Sequence, residues 1–321
     1  MRILFITATR VGDAVLSTGL LSHLIGLHPE ARLTIAAGPA AAPLFEPVPG
    51  LEQLITVEKE PYGMHWLRLW LHCVVRRWDI VVDLRRSAIG WLLPTRKRYI
   101  AARTDGAVHR VELLAATLGL KGAPPAPRIW LDSAHRAAAA EIIPVGSPVL
   151  ALAPAANWRG KQWRAERFNE LAGRLTGPQG ILPGARVAVF AAANERPAIA
   201  PVLSGIPADR LIDTVGRIDL LTVAACLERC AFFIGNDSGL MHLAAACGIP
   251  TLGLFGPSRE ENYAPWGPRS GWVRTAESYD TLIGAPGYDH RTTGTLMDGL
   301  SVGRAEEAAR GLWRRLEHAA P

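Results

Sequence analysis

Short apolar runs alternate with longer stretches of helical period along the chain. Ile3–Ile6, Arg32–Ala37, Gln53–Val57 and Ile80–Leu84 read as buried strands. Helical patterns through Ala14–Leu27, Met64–Arg76 and Ser87–Leu93 lie between them. Strands bridged by helices imply βαβ units and a parallel sheet covered by helices on both faces. The alternation breaks at the Pro-rich stretch Gly122–Pro127, which marks a linker or domain edge. After a short helix near Ser133–Ile142 it resumes. Strands are predicted at Pro148–Ala153, Arg186–Ala191, Arg210–Ile212, Ala231–Ile234 and Thr251–Phe255, with helices such as Ala165–Leu175 and Leu220–Arg229 between them. A last helical pattern covers Arg304–His318. The chain therefore reads as α/β, with two Rossmann-like halves at 1–145 and 146–300 and a terminal helix within 301–321 for which packing back on the first half is one option.

Composition narrows the picture modestly. With 321 residues, 49% hydrophobic and 20% charged, the chain can bury two cores and has little room for extended disorder. A net charge of +6 and a pI near 9.4 suit an anionic partner, and a high-arginine proteome would explain them equally well. No concentrated basic tract or recognised motif points to nucleic acid. The four cysteines are too few for a disulfide framework in a chain of this length. Cys226 and Cys230 share a helical face but have no further ligands nearby, so buried thiols in a reducing cytoplasm are expected. The opening run Met1–Thr7 is too short for a signal peptide, and no stretch reaches the roughly 18 apolar residues of a membrane span. His65–Val75, rich in Trp, Leu and Val, contains Arg68 and ends at Arg76-Arg77. It reads as a core helix, with contact to a membrane surface as the alternative.

Candidate chemistry concentrates where a strand meets a helix in the second half. Ala231–Ile234 is followed by the turn Gly235-Asn236-Asp237-Ser238-Gly239 and a helix over Leu240–Cys247, with Gly248 and Pro250 as stop signals. A helix N-terminus beside the carboxyl end of a parallel strand attracts phosphate through its free N–H groups and its dipole. Asp237 could equally be a plain N-cap, and a lone helical His242 is more often structural than chemical.

The run from Gly235 through His242 to Ala246, continuing through Gly248-Ile249-Pro250 to Leu254-Phe255-Gly256-Pro257-Ser258, resembles the signature of glycosyltransferase family 9. That family contains the lipopolysaccharide heptosyltransferases. The resemblance implies a GT-B fold, two Rossmann-like domains with parallel sheets facing across a cleft, the acceptor bound in the first and the donor in the second. It also implies that Asp237 contacts donor sugar hydroxyls while Ser238, Gly239 and Leu240 offer backbone N–H groups to the diphosphate, with His242 beside them. Ser238 replaces a commoner threonine and keeps the hydroxyl.

The turn Thr9-Arg10-Val11-Gly12-Asp13 is similar to the family's opening motif, which makes Asp13 the base that removes the acceptor's hydroxyl proton. Helix capping is the bland reading of the same aspartate. Gly19 stands where the family commonly has proline. The loop Pro154–Trp163 resembles the family's donor loop, in which Lys161 contacts phosphate and offsets charge on the leaving diphosphate. Ala155 and Ala156 replace common hydroxyl residues there, and Arg159 is a candidate substitute. Glu195, at a helix start, is placed by resemblance on the nucleotide ribose, although helix-start glutamates also occur for dipole reasons. Asp83–Ser87 and His109-Arg110-Val111 match weaker features, so Arg85 and Arg86 join Thr9, Arg10 and Gly12 as acceptor-side candidates.

The chain has no Asp-x-Asp motif, so metal-independent transfer with no cofactor is expected. The resemblance implies an inverting enzyme moving a sugar, such as heptose from ADP-heptose, onto an acidic lipopolysaccharide-core acceptor. It would work in the cytoplasm or peripherally on the cytoplasmic face of the inner membrane. The alternatives are another nucleotide-sugar with another cell-surface glycan acceptor, or a non-catalytic nucleotide-sugar-binding module. A nicotinamide-dependent oxidoreductase is disfavoured because the first strand–helix turn carries one glycine instead of Gly-x-Gly-x-x-Gly.

Overall fold

A computed structural model of the chain describes residues 1–102 and 106–319. Contacts divide it into two compact units, Met1–Asp132 and the remainder from Ser133. The division falls earlier than the 145/146 boundary expected from sequence, because the helix at 133–142 packs within the second unit.

The first unit runs β1 (Arg2–Ile6), α1 (Val11–Leu27), β2 (Arg32–Ala37), β3 (Leu51–Thr56), α2 (Met64–Val74), β4 (Trp78–Asp83), α3 (Ile89–Leu92), β5 (Thr95–Ile100) and α4 (Arg110–Ala116). Its five strands are parallel in the order β3-β2-β1-β4-β5. β1 and β2 are buried apart from their first residues, as strands covered on both faces must be. β5 escaped the sequence reading. Its Arg96-Lys97-Arg98 core has no apolar pattern, and only its position at the sheet edge tolerates those exposed cations.

α1 is buried nearly all round, with Ala14 through Leu21 in the interior. The Pro-rich stretch supplies its second cover and so serves as packing at the end of this unit. An added Cβ on Gly19 would lie 2.2 Å from the Pro125 carbonyl oxygen and 2.6 Å from that of Ala126. The Arg128 amide donates to Thr18 Oγ1 at 2.9 Å. Alanine at position 19 would gain about 1 kcal/mol of helix propensity, yet must displace two backbone carbonyls. Gly19→Ala is therefore expected to destabilise the protein by about 1–3 kcal/mol, read as a lower urea midpoint with unchanged m-value.

The second unit runs α5 (Ser133–Ile142), β6 (Val149–Ala153), α6 (Ala165–Thr176), β7 (Arg186–Val189), α7 (Arg196–Ser204), β8 (Leu211–Asp213), α8 (Leu220–Leu227), β9 (Phe232–Asn236), α9 (Gly239–Ala246), β10 (Thr251–Phe255), α10 (Glu260–Tyr263), β11 (Ser270–Arg274), α11 (Tyr279–Ile283) and α12 (Val302–Ala319). Six parallel strands take the order β11-β10-β9-β6-β7-β8. β6, β9 and β10 are buried at every position. Gly248, at φ +77°, ends the α9 segment in the left-handed conformation that favours glycine. The α12 stripe Ala305, Ala309 and Leu312 is buried in the second core, against α6, β10 and β11.

All four cysteines are free thiols, and burial pushes those of Cys73 and Cys226 up to about 11. No helix among the described residues is long and apolar enough to cross a membrane.

Candidate functional site

In each sheet the chain winds outward in one direction and then restarts on the other side. This puts a switch point between β1 and β4 in the first unit and between β6 and β9 in the second. Ligands of open α/β sheets bind outside the carboxyl ends of the strands at such points. The residues singled out by sequence follow these strands: Thr9 to Asp13 after β1, Arg85 and Arg86 after β4, Lys161 after β6, and Asp237 to Leu240 after β9.

In the second unit, Lys161 Nζ donates to Asp237 Oδ2 at 2.5 Å, joining residues 76 apart in the chain. Lys161 keeps 21% of its side chain exposed while Asp237 keeps 6%. His242 Nε2 lies 3.9 Å from the other Asp237 oxygen. Asp237 is not the N-cap. That position belongs to Ser238, so the bland capping role considered for Asp237 does not hold. Ser238 does not cap the helix with its side chain either. Its hydroxyl is buried and has no hydrogen-bond partner among the described residues. The first turn of α9 thus offers uncapped N–H groups and a hydroxyl beside a lysine, an arrangement suited to an anion.

Asn236 was missed by the sequence reading. It is fully buried, accepts from the Trp163 amide at 3.2 Å and donates to the Pro154 carbonyl at 2.7 Å. One side chain thereby fixes both ends of the Lys161 loop to the end of β9. The loop's other edge is tied down by Leu296 N donating to Gly160 O at 2.9 Å, and by Arg164 forked onto Asp298 at 2.5 and 2.6 Å. The only signal available was an amide side chain at the end of an otherwise apolar strand. Ala155 and Ala156 are buried, while Arg159 is exposed. Glu195 Oε2 accepts from the Ala192 amide at 2.9 Å, a local turn bond that leaves its other oxygen available.

In the first unit, Asp13 sits in the first turn of α1, where no side chain caps the helix. Its Oδ1 lies 3.8 Å from Arg110 Nε, an ion pair delivered by α4, whose N-cap is His109. Arg85 Nη1 donates to Thr9 Oγ1 at 3.3 Å, linking the β1 and β4 loops. Arg10 is exposed and Gly12 half-buried. Asp83 is fully buried at the end of β4, and that burial pushes its carboxyl above the usual range. It accepts from the Arg85 amide at 2.9 Å and from Ser87 Oγ at 2.8 Å, shaping the loop that carries both arginines. Arg86 has φ +57°, a strained conformation of the kind that clusters at functional sites. Among the described residues, no three His, Cys, Asp or Glu side chains gather as a metal site.

Residues 79–282 match the profile of glycosyltransferase family 9 (heptosyltransferase). Lipopolysaccharide heptosyltransferase 2 of Salmonella typhimurium is 24% identical over 328 residues, covering 87% of this chain and 89% of that protein. Lipooligosaccharide heptosyltransferase 2 of Haemophilus influenzae is 27% identical over 134 residues, a match covering 40% of this chain and 37% of that protein. The solved structure of the E. coli ADP-heptose LPS heptosyltransferase II superposes with a TM-score of 0.76 at 19% identity, over the full length of both chains. The two parallel-sheet units thus have the GT-B fold. Since the family match covers more than half of its length, the chain belongs to glycosyltransferase family 9 and is a glycosyltransferase.

Proposed function

We propose that this enzyme transfers heptose from ADP-heptose, with inversion, to an acidic lipopolysaccharide-core-type acceptor. The observation that carries the reading is the Lys161–Asp237 pair at the uncapped start of α9, where a lysine, a free hydroxyl and helix N–H groups converge. In this reading Lys161 and the amides of Ser238, Gly239 and Leu240 hold the donor diphosphate. Asp237, oriented by His242, accepts from sugar hydroxyls, and Glu195 accepts from the ribose. Asp13 takes the proton from the acceptor hydroxyl as its oxygen attacks the anomeric carbon. The bond from that carbon to the phosphate oxygen breaks, and ADP departs with both bonding electrons. Lys161 and the α9 dipole offset its charge, so no step requires a divalent cation. Thr9, Arg10, Gly12, Arg85 and Arg86 are assigned to the acceptor, whose anionic groups suit guanidinium partners. The work would take place at the cytoplasmic face of the inner membrane.

The alternative is another nucleotide-sugar, because Ala155 and Ala156 stand where hydroxyl residues are common in the family's donor loop. A thermal-shift panel of ADP-, GDP- and UDP-sugars separates these readings. ADP-heptose near 100 times its dissociation constant is expected to add about 2.7 kcal/mol, a rise of roughly 5 °C. Stabilisation by a GDP- or UDP-sugar alone would replace the donor assignment, and none by any donor would reject donor binding.

A further inference from the structure

Helix α2 presents two apolar faces. Leu69 and Cys73 point inward with Trp66 and Trp70 beside them, joining the core over β1 and β4. Met64, Leu67, Leu71 and Val75 recur at positions i, i+3, i+7 and i+11 on the outer side, and all four are exposed. Leu71 is 55% exposed and Val75 80%. Neighbouring α3 adds Trp91 at 66% and Leu92 at 62%, and Tyr62 stands fully exposed before α2. Single exposed apolar residues need no explanation, but a stripe shared by two adjoining helices does.

Charge identifies its partner. Between residues 61 and 98 the sequence has eight Lys and Arg against two acidic residues, Asp79 and Asp83. Asp83 is fully buried, and Asp79 is occupied by the Arg2 amide at 2.8 Å and by Arg96 at 3.5 Å. Glu60, just outside, neutralises Arg68 at 2.5 Å. Arg86 and Arg98 border Trp91 around an open depression of about 510 Å³, with the Arg98 guanidinium 5.7 Å from the Trp91 ring. An apolar stripe with an interfacial tryptophan inside a one-signed basic surround is the pattern of a helix lying in the headgroup layer of an anionic bilayer.

The geometry points to the outer faces of α2 and α3, with the basic edge of β5, as a docking surface for anionic phospholipid membranes. The stripe would sink its side chains to the acyl boundary while Arg77, Lys97 and their neighbours meet the headgroups. This surface does not depend on which sugar is transferred, and vesicle binding can be read without donor or acceptor. Its failure would leave the transfer reading standing.

The test is co-sedimentation of the full chain with vesicles of equal phosphatidylglycerol and phosphatidylcholine, and with phosphatidylcholine alone. Binding is expected to the anionic vesicles, weakening by about tenfold or more when the anionic lipid is removed or the salt raised. Leu71→Ser combined with Trp91→Ser should lower the partition coefficient roughly 100-fold, since each side chain contributes about a tenfold factor on burial. Both sites are exposed, so the variant should keep its circular dichroism and melting temperature. The proposal is overturned if the wild type stays in the supernatant, or if the folded double variant binds as well as wild type. It is also overturned if ultracentrifugation shows that the substitutions only dissociate a dimer, which would make the stripe a contact between copies.

Discussion

Replacing Asp13 with asparagine is expected to lower kcat/KM for sugar transfer by about 10²–10⁴-fold, the range for loss of a positioned general base. The substitution is nearly isosteric and keeps a hydrogen-bond acceptor, so it isolates the proton-accepting role from shape. Two local roles for the carboxylate predict much less. Asp13 lies in the first turn of α1, where its charge favours the helix dipole by about 0.3–1 kcal/mol. It also faces Arg110 Nε at 3.8 Å with both side chains partly exposed, a pair contributing at most about 1 kcal/mol. A purely structural Asp13 would therefore give a slightly lower melting temperature and near-normal turnover. The proposal requires the reverse, and near-normal transfer rates in the folded variant would remove Asp13 from the chemistry.

Lys161→Ala is expected to cost about 10²–10³-fold in kcat and to weaken donor binding as well. The lysine is assigned to the leaving diphosphate, where its charge matters most as the bond breaks. Structure adds a second consequence. Asp237, only 6% exposed, loses the cation that now sits 2.5 Å from it. Removing one partner of a buried pair costs about 3–5 kcal/mol, reduced here to about 1–3 because Lys161 keeps some solvent contact and His242 lies near. Adding Asp237→Asn to Lys161→Ala should restore much of that stability without restoring transfer. Urea denaturation and initial rates on the two variants check both halves. Recovery of activity in the double variant would mean that Lys161 serves only to neutralise Asp237.

Central strands could be read from sequence because parallel strands buried on both faces leave continuous apolar runs, as in Arg32–Ala37 and Thr251–Phe255. Edge strands β5 and β11 could not, since Arg96-Lys97-Arg98 and Ser270-Gly271 interrupt any apolar run, whereas the edge strands β3 and β8 keep short ones at Leu54-Ile55 and Leu211-Ile212. The phosphate-suited turn after β9 was legible because its glycines, hydroxyl and helix start are contiguous. Its partnership with Lys161 was not. That contact depends on β6 lying beside β9 in the register Ala151↔Phe233 and Ala153↔Gly235, a long-range pairing that no local pattern encodes. Asn236 was hidden for the same reason, as its two partners belong to the neighbouring strand's loop. Arg110 stood in a weakly matched segment, and only the packing of α4 on α1 brings it to Asp13.

In the proposed mechanism the two units divide the labour, with the donor diphosphate held at Lys161 and α9 and the acceptor activated by Asp13. Calorimetric titration of ADP into wild type, Lys161→Ala and Asp13→Asn tests it most directly. ADP is expected to bind wild type and Asp13→Asn with affinities within about twofold of each other. Lys161→Ala should bind it about 10–100-fold more weakly, the worth of one hydrogen bond between charged groups. Failure of wild type to bind ADP, or equal losses in the two variants, would contradict it.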